Sequence, residues 1–480
     1  MNGRTQDCTR RGFLRAAGLG AVGLAMQGRV RAERYNAEKG SNNKPNIVFV
    51  LADDLGWAEL GCYGNKFNET PNLDGLAREG MRFTDAYAAA PVCSPTRAAL
   101  MTGQYPARVG ITDYLRPNDG RYLSTDYDSI AGMLKLGRYA TGIIGKWHLT
   151  GYANHGAEEF GPGLHGFDEV IVSENRGIGG GSYFHPYHFN KEIKKRLGGR
   201  EYLIDRCNLE AVEFIERHKK GPFFLYLSRY AVHTRLLGKD GLVTKYEKKP
   251  GAGKGNEARR NNPHLAAQLE SIDEGMGMIM EKLEELGLAE NTVLIFTSDN
   301  GGEDRVTSNA PLRAGKSTLY EGGIRVPLVV RWPAMVKAGS VCNRPAVTCD
   351  FYPTLMECAG VKADRQQRLD GVSLLGLLKE PKAKLGRELL YWHYPLAKPH
   401  FLGGRSCGAV RQNHWKLLEF LDSGEVELYN LAEDIGEKHD LAKRLPRKAA
   451  ELHDLLTERR KEFGAEVGQI GLENNQRRRR

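Results

Sequence analysis

The run Ile47-Val48-Phe49-Val50-Leu51-Ala52 is apolar throughout and stops abruptly at Asp53-Asp54. An apolar run this short, closed by polar residues, predicts a strand buried on both faces of a sheet. Three further runs have the same form. Ala140 to Ile144 is followed by Gly145-Lys146-Trp147-His148, Phe223 to Leu227 ends shortly before His233, and Val293 to Thr297 runs into Ser298-Asp299-Asn300-Gly301-Gly302. Segments with apolar residues at helical spacing lie between them, such as His264 to Leu286. The alternation predicts an α/β fold, a large mixed, mostly parallel sheet flanked by helices. Each run delivers carboxylates, a lysine or a histidine just past its C-terminal end, the edge where open α/β sheets bind ligands. Four such endings point to one shared site.

Beyond about residue 385 the texture changes. Leu389 to Tyr394, Cys407 to Arg411, Trp415 to Leu421 and Val426 to Tyr429 read as short strands, followed by a polar helix from Leu445 to Phe463. They predict a smaller C-terminal α+β subdomain. The Gly- and Lys-rich stretch from Arg235 to Arg260 reads as a flexible surface loop whose positive charge can steer an anionic polymer. The expected organisation is a targeting segment at 1–32, a catalytic domain at 33–385, the subdomain at 386–465 and a polar, Arg-rich tail at 466–480.

The first 32 residues read as an export signal rather than as fold. Arg10-Arg11 precede Phe13-Leu14 and an apolar stretch from Ala16 to Met26, and Val30-Arg31-Ala32 has the form of a cleavage site. Paired arginines in this setting resemble a twin-arginine signal, so the twin-arginine export machinery is an expected partner and the location is periplasmic or secreted. Residues 1–32 hold six Arg and one Asp, so the remaining chain carries 10 − 5 = +5, four of it in Arg477 to Arg480. A body so near neutrality gives no reason to expect a nucleic-acid partner. No later apolar run is long enough to span a bilayer, which excludes an integral membrane protein. The eight cysteines include no C-x-x-C pair and yield no disulfide framework.

The most specific signal is Cys93-Ser94-Pro95-Thr96-Arg97, continuing to Leu100-Met101-Thr102-Gly103. Pro95 suits the first turn of a helix. Cys93 then sits at the positive end of the helix dipole, a setting for an activated thiolate or an oxyanion. Asp53, Asp54, Asp299 and Asn300 offer only oxygen ligands, which suits a hard cation, Ca²⁺ or Mg²⁺.

Cys-x-Pro-x-Arg followed by Leu-x-Thr-Gly resembles the signature of the type I sulfatases of the alkaline phosphatase superfamily. The resemblance extends to Asp53-Asp54, Gly145-Lys146-Trp147-His148, Ser298-Asp299-Asn300-Gly301-Gly302, Gly315 to Pro327, Trp415-Lys416-Leu417 and Glu427 to Leu431. It implies that a maturation enzyme oxidises Cys93 to Cα-formylglycine, whose hydrate attacks sulfur to leave a sulfate ester on residue 93. It favours Ca²⁺ over Mg²⁺, held by Asp53, Asp54, Asp299, Asn300 and an oxygen of the modified Cys93. Arg97, Lys146 and Lys316 are then the cations around the sulfate, Arg97 alternatively holding the hydrate. Asp299 is a candidate base for the attacking hydroxyl. His148 assists sulfate expulsion, and His233, with Lys316, protonates the departing alcohol.

Two departures from the family pattern, Thr150 and Arg235, are expected at the pocket rim. Exported bacterial polysaccharide sulfatases are the nearest analogy, so a sulfated carbohydrate is the expected substrate, with His393, Tyr394 and Arg176 to Tyr183 lining the entrance. The alternatives are a phosphatase or phosphodiesterase of the same superfamily, or a catalytically inactive carbohydrate-binding relative. Asn300 stands where those phosphatases place a metal-binding histidine, and Cys93 and all the carboxylates are retained. Both features argue for sulfate.

Overall fold

The computed structural model describes residues 44–152, 160–176, 183–362 and 367–465. The paired-arginine segment, the glycines between Arg176 and Tyr183 and the Arg-rich tail lie outside the described residues. Strands β1 (Asn46–Ala52), β2 (Met81–Phe83), β3 (Ala86–Tyr87), β4 (Ala140–Gly145), β5 (Glu169–Ile171), β6 (Phe223–Ser228), β7 (Thr292–Ser298), β8 (Leu328–Arg331), β9 (Ser340–Cys342) and β10 (Ala346–Val347) occupy the first part of the chain. Strands β11 (Leu389–Tyr394), β12 (Cys407–Gln412), β13 (Trp415–Phe420) and β14 (Glu425–Asn430) follow.

The large sheet has the order β5-β4-β6-β1-β7-β8-β2-β9. β1 lies at its centre, parallel to both β6 and β7, and β8 is antiparallel to its neighbours β7 and β2. Successive side chains of β1 point to opposite faces. Ile47, Phe49 and Leu51 enter one hydrophobic core, while Val48, Val50 and Ala52 enter the other. Both faces are therefore dry, which is why β1 reads as a continuous apolar run.

Four helices matter for the site and its support: α1 (Pro71–Glu79), α2 (Cys93–Thr102), α3 (Asp240–Glu247) and α4 (Pro263–Glu285). Asn262 caps α4 by accepting from the His264 and Leu265 N–H groups at 3.0 and 3.2 Å, and Pro263 fills the first helical position. The stretch from Arg235 to Arg260 is not a flexible loop. It contains α3, whose Val243 and Tyr246, three residues apart, pack with Ala266 and Ala267 of α4. Lys245 reaches Glu69 at 2.6 Å and Glu270 at 2.8 Å, and Lys249 reaches Glu69 at 3.0 Å, so part of the positive charge is spent internally.

The C-terminal sheet is an antiparallel meander, β11-β12-β13-β14, covered by the helix α5 (Pro446–Glu462). A shared apolar cluster, in which Trp392 and Val410 meet Tyr87, Val92 and Ile324, joins it to the rest of the domain, and buried ion pairs reinforce the link. Lys416 of β13 is fully buried between Glu321 and Glu437, 2.8 Å from each. Glu321 also binds Arg325 at 3.0 Å. His393 and Tyr394, expected at an entrance, are both buried in β11, one on each of its covered faces, with the Tyr394 hydroxyl 3.5 Å from Asp113 Oδ1. Thr150 is also buried, bridged to Tyr122, while Arg235 is exposed. The seven cysteines among the described residues are free thiols. No helix among those residues is long and apolar enough to cross a membrane.

Candidate active site

Four adjacent parallel strands end side by side, in the order β4, β6, β1, β7, and the loops leaving them converge on the N-terminus of α2. Cys93 is the first residue of α2, behind the extended cap Val92. Arg97, one turn on, is buried and grips Asp299 Oδ2 from Nε at 3.1 Å and Nη2 at 2.7 Å. Ser94 Oγ accepts from the Leu115 N–H at 3.0 Å, which holds the Leu115 carbonyl in place for His148.

After β4 the chain must turn under the end of β6. Gly145 has φ 103°, and a Cβ there would lie 2.0 Å from the Ser228 carbonyl oxygen, so only glycine fits. The turn carries Lys146 onto Asp53 Oδ2 and brings His148 over residue 93. His148 Nε2 lies 2.8 Å from the Leu115 carbonyl, which can only accept, so Nε2 carries the proton. Nδ1 is then a bare lone pair, 3.2 Å from Cys93 Sγ. Burial, with the Lys146 charge, holds the His148 pKa well below the usual imidazole value.

Each carboxylate has one oxygen covered by a cation. Lys316 Nζ lies 2.7 Å from Asp54 Oδ2, while Asn300 Nδ2 donates to Asp54 Oδ1 at 2.8 Å. Asp53 Oδ1 and Asn300 Oδ1, both buried, accept no hydrogen bond. Ligand atoms of Asp53, Asp299 and Cys93 lie within 4.8 Å of one another, as do those of Asp53, Asp54 and His233. Burial raises Asp53, but Lys146, His233 and Arg97 outweigh it and hold its carboxyl well below the carboxylate range. Asp299 moves the other way, up to about 6, through burial and the Asp53 charge. Converging oxygens, two of them orphaned, with mutual repulsion between buried carboxylates, fit a hard cation.

His233 stands at the open side. Its side chain is one-third exposed, at 33%, with Nδ1 2.6 Å from the Thr234 carbonyl and Nε2 3.8 Å from Asp54 Oδ2. Partial desolvation in the pocket and the Lys316 charge lower its pKa. The Cys93 thiol is pushed up by burial, although Lys146 and Lys316 oppose the shift. An unmodified thiolate at this position is thus disfavoured.

All ten residues expected at the site converge there. Sequence reasoning missed Glu174. Its buried carboxylate accepts from the Trp147 N–H at 3.0 Å, the His148 N–H at 2.5 Å and the Tyr230 hydroxyl at 2.9 Å, and so fixes the turn that carries His148. It also missed Ser228, whose hydroxyl meets Arg97 and the Lys146 carbonyl. Neither stands in a motif. A lone acid beside a glycine-rich stretch gives no signal of where its carboxylate points.

The family model for Sulfatase matches residues 45–361, about two-thirds of the chain and the whole of this site. The chain belongs to the sulfatase family. A second model, N-sulphoglucosamine sulphohydrolase C-terminal, matches residues 314–463. A sulfatase of Formosa agariphila is 32% identical over 84% of this chain and 85% of its own length. The human N-acetylgalactosamine-6-sulfatase is 34% identical over 74% of this chain and 69% of its own length. Among solved structures, that of Ps i-CgsB superposes with a TM-score of 0.76 at 32% identity, covering 89% of this chain and 94% of the other. The same protein in complex with k-i-k-neocarrahexaose gives 0.74. The fold is shared more widely, down to a phosphonate monoester hydrolase of Agrobacterium radiobacter at a TM-score of 0.63 and 20% identity. This sulfatase is a sulfuric ester hydrolase.

Proposed function

We propose that this sulfatase cleaves the sulfate ester of a sulfated polysaccharide fragment with a nucleophile made by oxidising Cys93 to Cα-formylglycine. A formylglycine-generating enzyme would perform the oxidation. A single Ca²⁺, favoured over Mg²⁺ by resemblance to the family, would be held by Asp53, Asp54, Asp299, Asn300 and residue 93. The observation that carries the reading is the bare Nδ1 of His148 facing residue 93 beside two orphaned, buried oxygens. Bound there, the hydrated aldehyde and the cation supply a polarised hydroxyl at neutral pH.

The chain's own residues then divide the work. Lys146 and Lys316 present positive charge where the sulfate oxygens gather charge in the transition state. Arg97 holds Asp299, a candidate base for the attacking hydroxyl, and its charge faces residue 93. His148 would take a proton from a hydroxyl of residue 93 through Nδ1 as sulfate is expelled, and would return to its neutral form when that proton leaves with the sulfate. His233, backed by Lys316 and open to solvent on one edge, protonates the departing alcohol. The buried pocket keeps water from these charges and strengthens them.

The relative bound to a carrageenan oligosaccharide favours a sulfated galactan as substrate here. The paired arginines at 10 and 11 support export by the twin-arginine route to the periplasm or beyond. We assign catalysis to 33–385 and a share of substrate contact to 386–465. Sulfate release from 4-nitrophenyl sulfate, measured on protein co-produced with the maturation enzyme, tests the reading. Cys93→Ala should fold normally and lose at least about a thousandfold in kcat. Turnover equal to that of the unsubstituted protein would refute it.

A further inference from the structure

The hairpin between β11 and β12 leans on the catalytic lysine loop. Gly404 approaches so closely that a Cβ there would lie 1.8 Å from the Ser317 carbonyl oxygen, next to Lys316. The turn is closed by His400 N–H to the Gly404 carbonyl at 2.7 Å and Gly403 N–H to the His400 carbonyl at 2.8 Å. It presents Phe401, 68% exposed and so among the most exposed large apolar side chains described. The Phe401 ring stacks on His400 at 4.4 Å, and His400 meets Tyr114 edge-on at 5.4 Å. Arg305, from the loop after Asp299-Asn300, lies over Phe401 at 5.3 Å, and Arg116 lies over Tyr114 at 4.4 Å.

Both arginines are more than half exposed, yet each is anchored. Arg305 Nε donates to Glu303 Oε1 at 2.7 Å, and Glu303 also accepts from Thr234, beside His233, at 3.0 Å. Arg116 pairs with Asp113 at 3.2 Å. His400 feels Lys316, Arg116 and Arg305 together, and burial with these charges lowers its pKa to about 4, so the ring is neutral. Its Nδ1 accepts from the Leu402 N–H at 3.1 Å, which leaves the Nε2 proton as a donor.

We propose that Tyr114, Arg116, Arg305, His400 and Phe401 form a subsite for a sugar ring next to the one losing sulfate, and that this second ring carries its own anionic group. This deepens the reading above, on which it rests, by fixing the substrate as a multiply anionic oligosaccharide. An exposed ring offers a flat apolar face to the C–H face of a pyranose. Arginines immobilised by carboxylates and rings keep their free N–H groups ready for a sulfate or carboxylate, with little ordering cost. A small monosulfated molecule would use none of this wall.

Calorimetric binding to protein carrying unmodified Cys93, which turns nothing over, separates this proposal from the catalytic one. The probes are carrageenan and chondroitin sulfate oligosaccharides and a desulfated carrageenan oligosaccharide. We expect at least one sulfated oligosaccharide to bind, its desulfated counterpart to bind at least about tenfold more weakly, and Phe401→Ala and Arg305→Gln each to raise its Kd about tenfold. Both substitutions are on the surface, and unchanged melting temperatures will show that they fold. Equal affinity for sulfated and desulfated probes, an unchanged Kd in both variants, or no binding of any probe would overturn the subsite. Failure of the matured protein to release sulfate from 4-nitrophenyl sulfate would overturn the catalytic reading instead.

Discussion

His148 reaches residue 93 with the nitrogen that carries no proton, because the Leu115 carbonyl claims the other. That orientation depends on Glu174, which takes both N–H groups of the Trp147-His148 turn. A glutamine there has one acceptor oxygen for three donors, so Glu174→Gln should lower kcat about tenfold or more while leaving KM nearly unchanged, read from steady-state rates on 4-nitrophenyl sulfate. A rise in KM at constant kcat would show that Glu174 does not act through His148. At this scale the site was largely legible, because Asp53, Asp54, Lys146, His148, Asp299 and Asn300 stand just after apolar runs and Cys93, Arg97 and Lys316 stand in motifs that resemble those of a known family. Glu174 was not, because its contact with His148 spans 26 residues and depends on backbone N–H groups, which leave no trace in composition. His393 and Tyr394 misled for a related reason: their polar atoms suggested a wet position, but both faces of β11 are covered, so the two residues are buried on opposite sides of it.

Among the elements, the junction between the two sheets concentrates its risk in one lysine. Lys416 is fully buried between Glu321 and Glu437, so Lys416→Met leaves Glu437 without a cation and Glu321 with Arg325 alone, and should cost about 3–5 kcal/mol in urea unfolding. Burial and the Glu321 charge together outweigh Lys416 and raise Glu437, from 4.5 to about 7. A carboxyl raised in the folded state stabilises while protonated, and that contribution fades as pH climbs from 4.5 through 7. Glu437→Gln should therefore gain stability relative to the unsubstituted protein between pH 5 and pH 8 in parallel melts; a constant difference would show that Glu437 stays ionised throughout. The strands β1, β4, β6 and β7 that end at the site, and those of the C-terminal sheet, were readable to within a residue or so, since their apolar runs are sharply bounded; β2, β5, β8 and β9, three or four residues long, were not. The helix α3 was not, because glycines and lysines around it masked the Val243-Tyr246 spacing that docks it on α4.

Over the whole molecule, one sheet edge gathers the proposed catalytic groups from residues 53 to 316, and a cation bound there would tie the large domain together. A ligand that binds only the folded chain stabilises it, by about 2.7 kcal/mol at a hundredfold excess over Kd. Melting temperature should rise with added Ca²⁺, fall with a chelator, and cease to respond in Asp299→Ala. An equal response in that variant would move the cation elsewhere. The α/β class and the C-terminal subdomain follow from patterns in the chain; the order of the strands does not. The exposed wall at Phe401 does not, because an aromatic residue in a loop looks like any other until its neighbours are known.

The mass of the tryptic peptide Phe83–Arg97, from protein made with and without the maturation enzyme, tests the nucleophile most directly. The account predicts a peptide about 18 Da lighter at residue 93, found only in the preparation that releases sulfate. Full sulfate release from a preparation whose peptide retains an intact Cys93 thiol would contradict it.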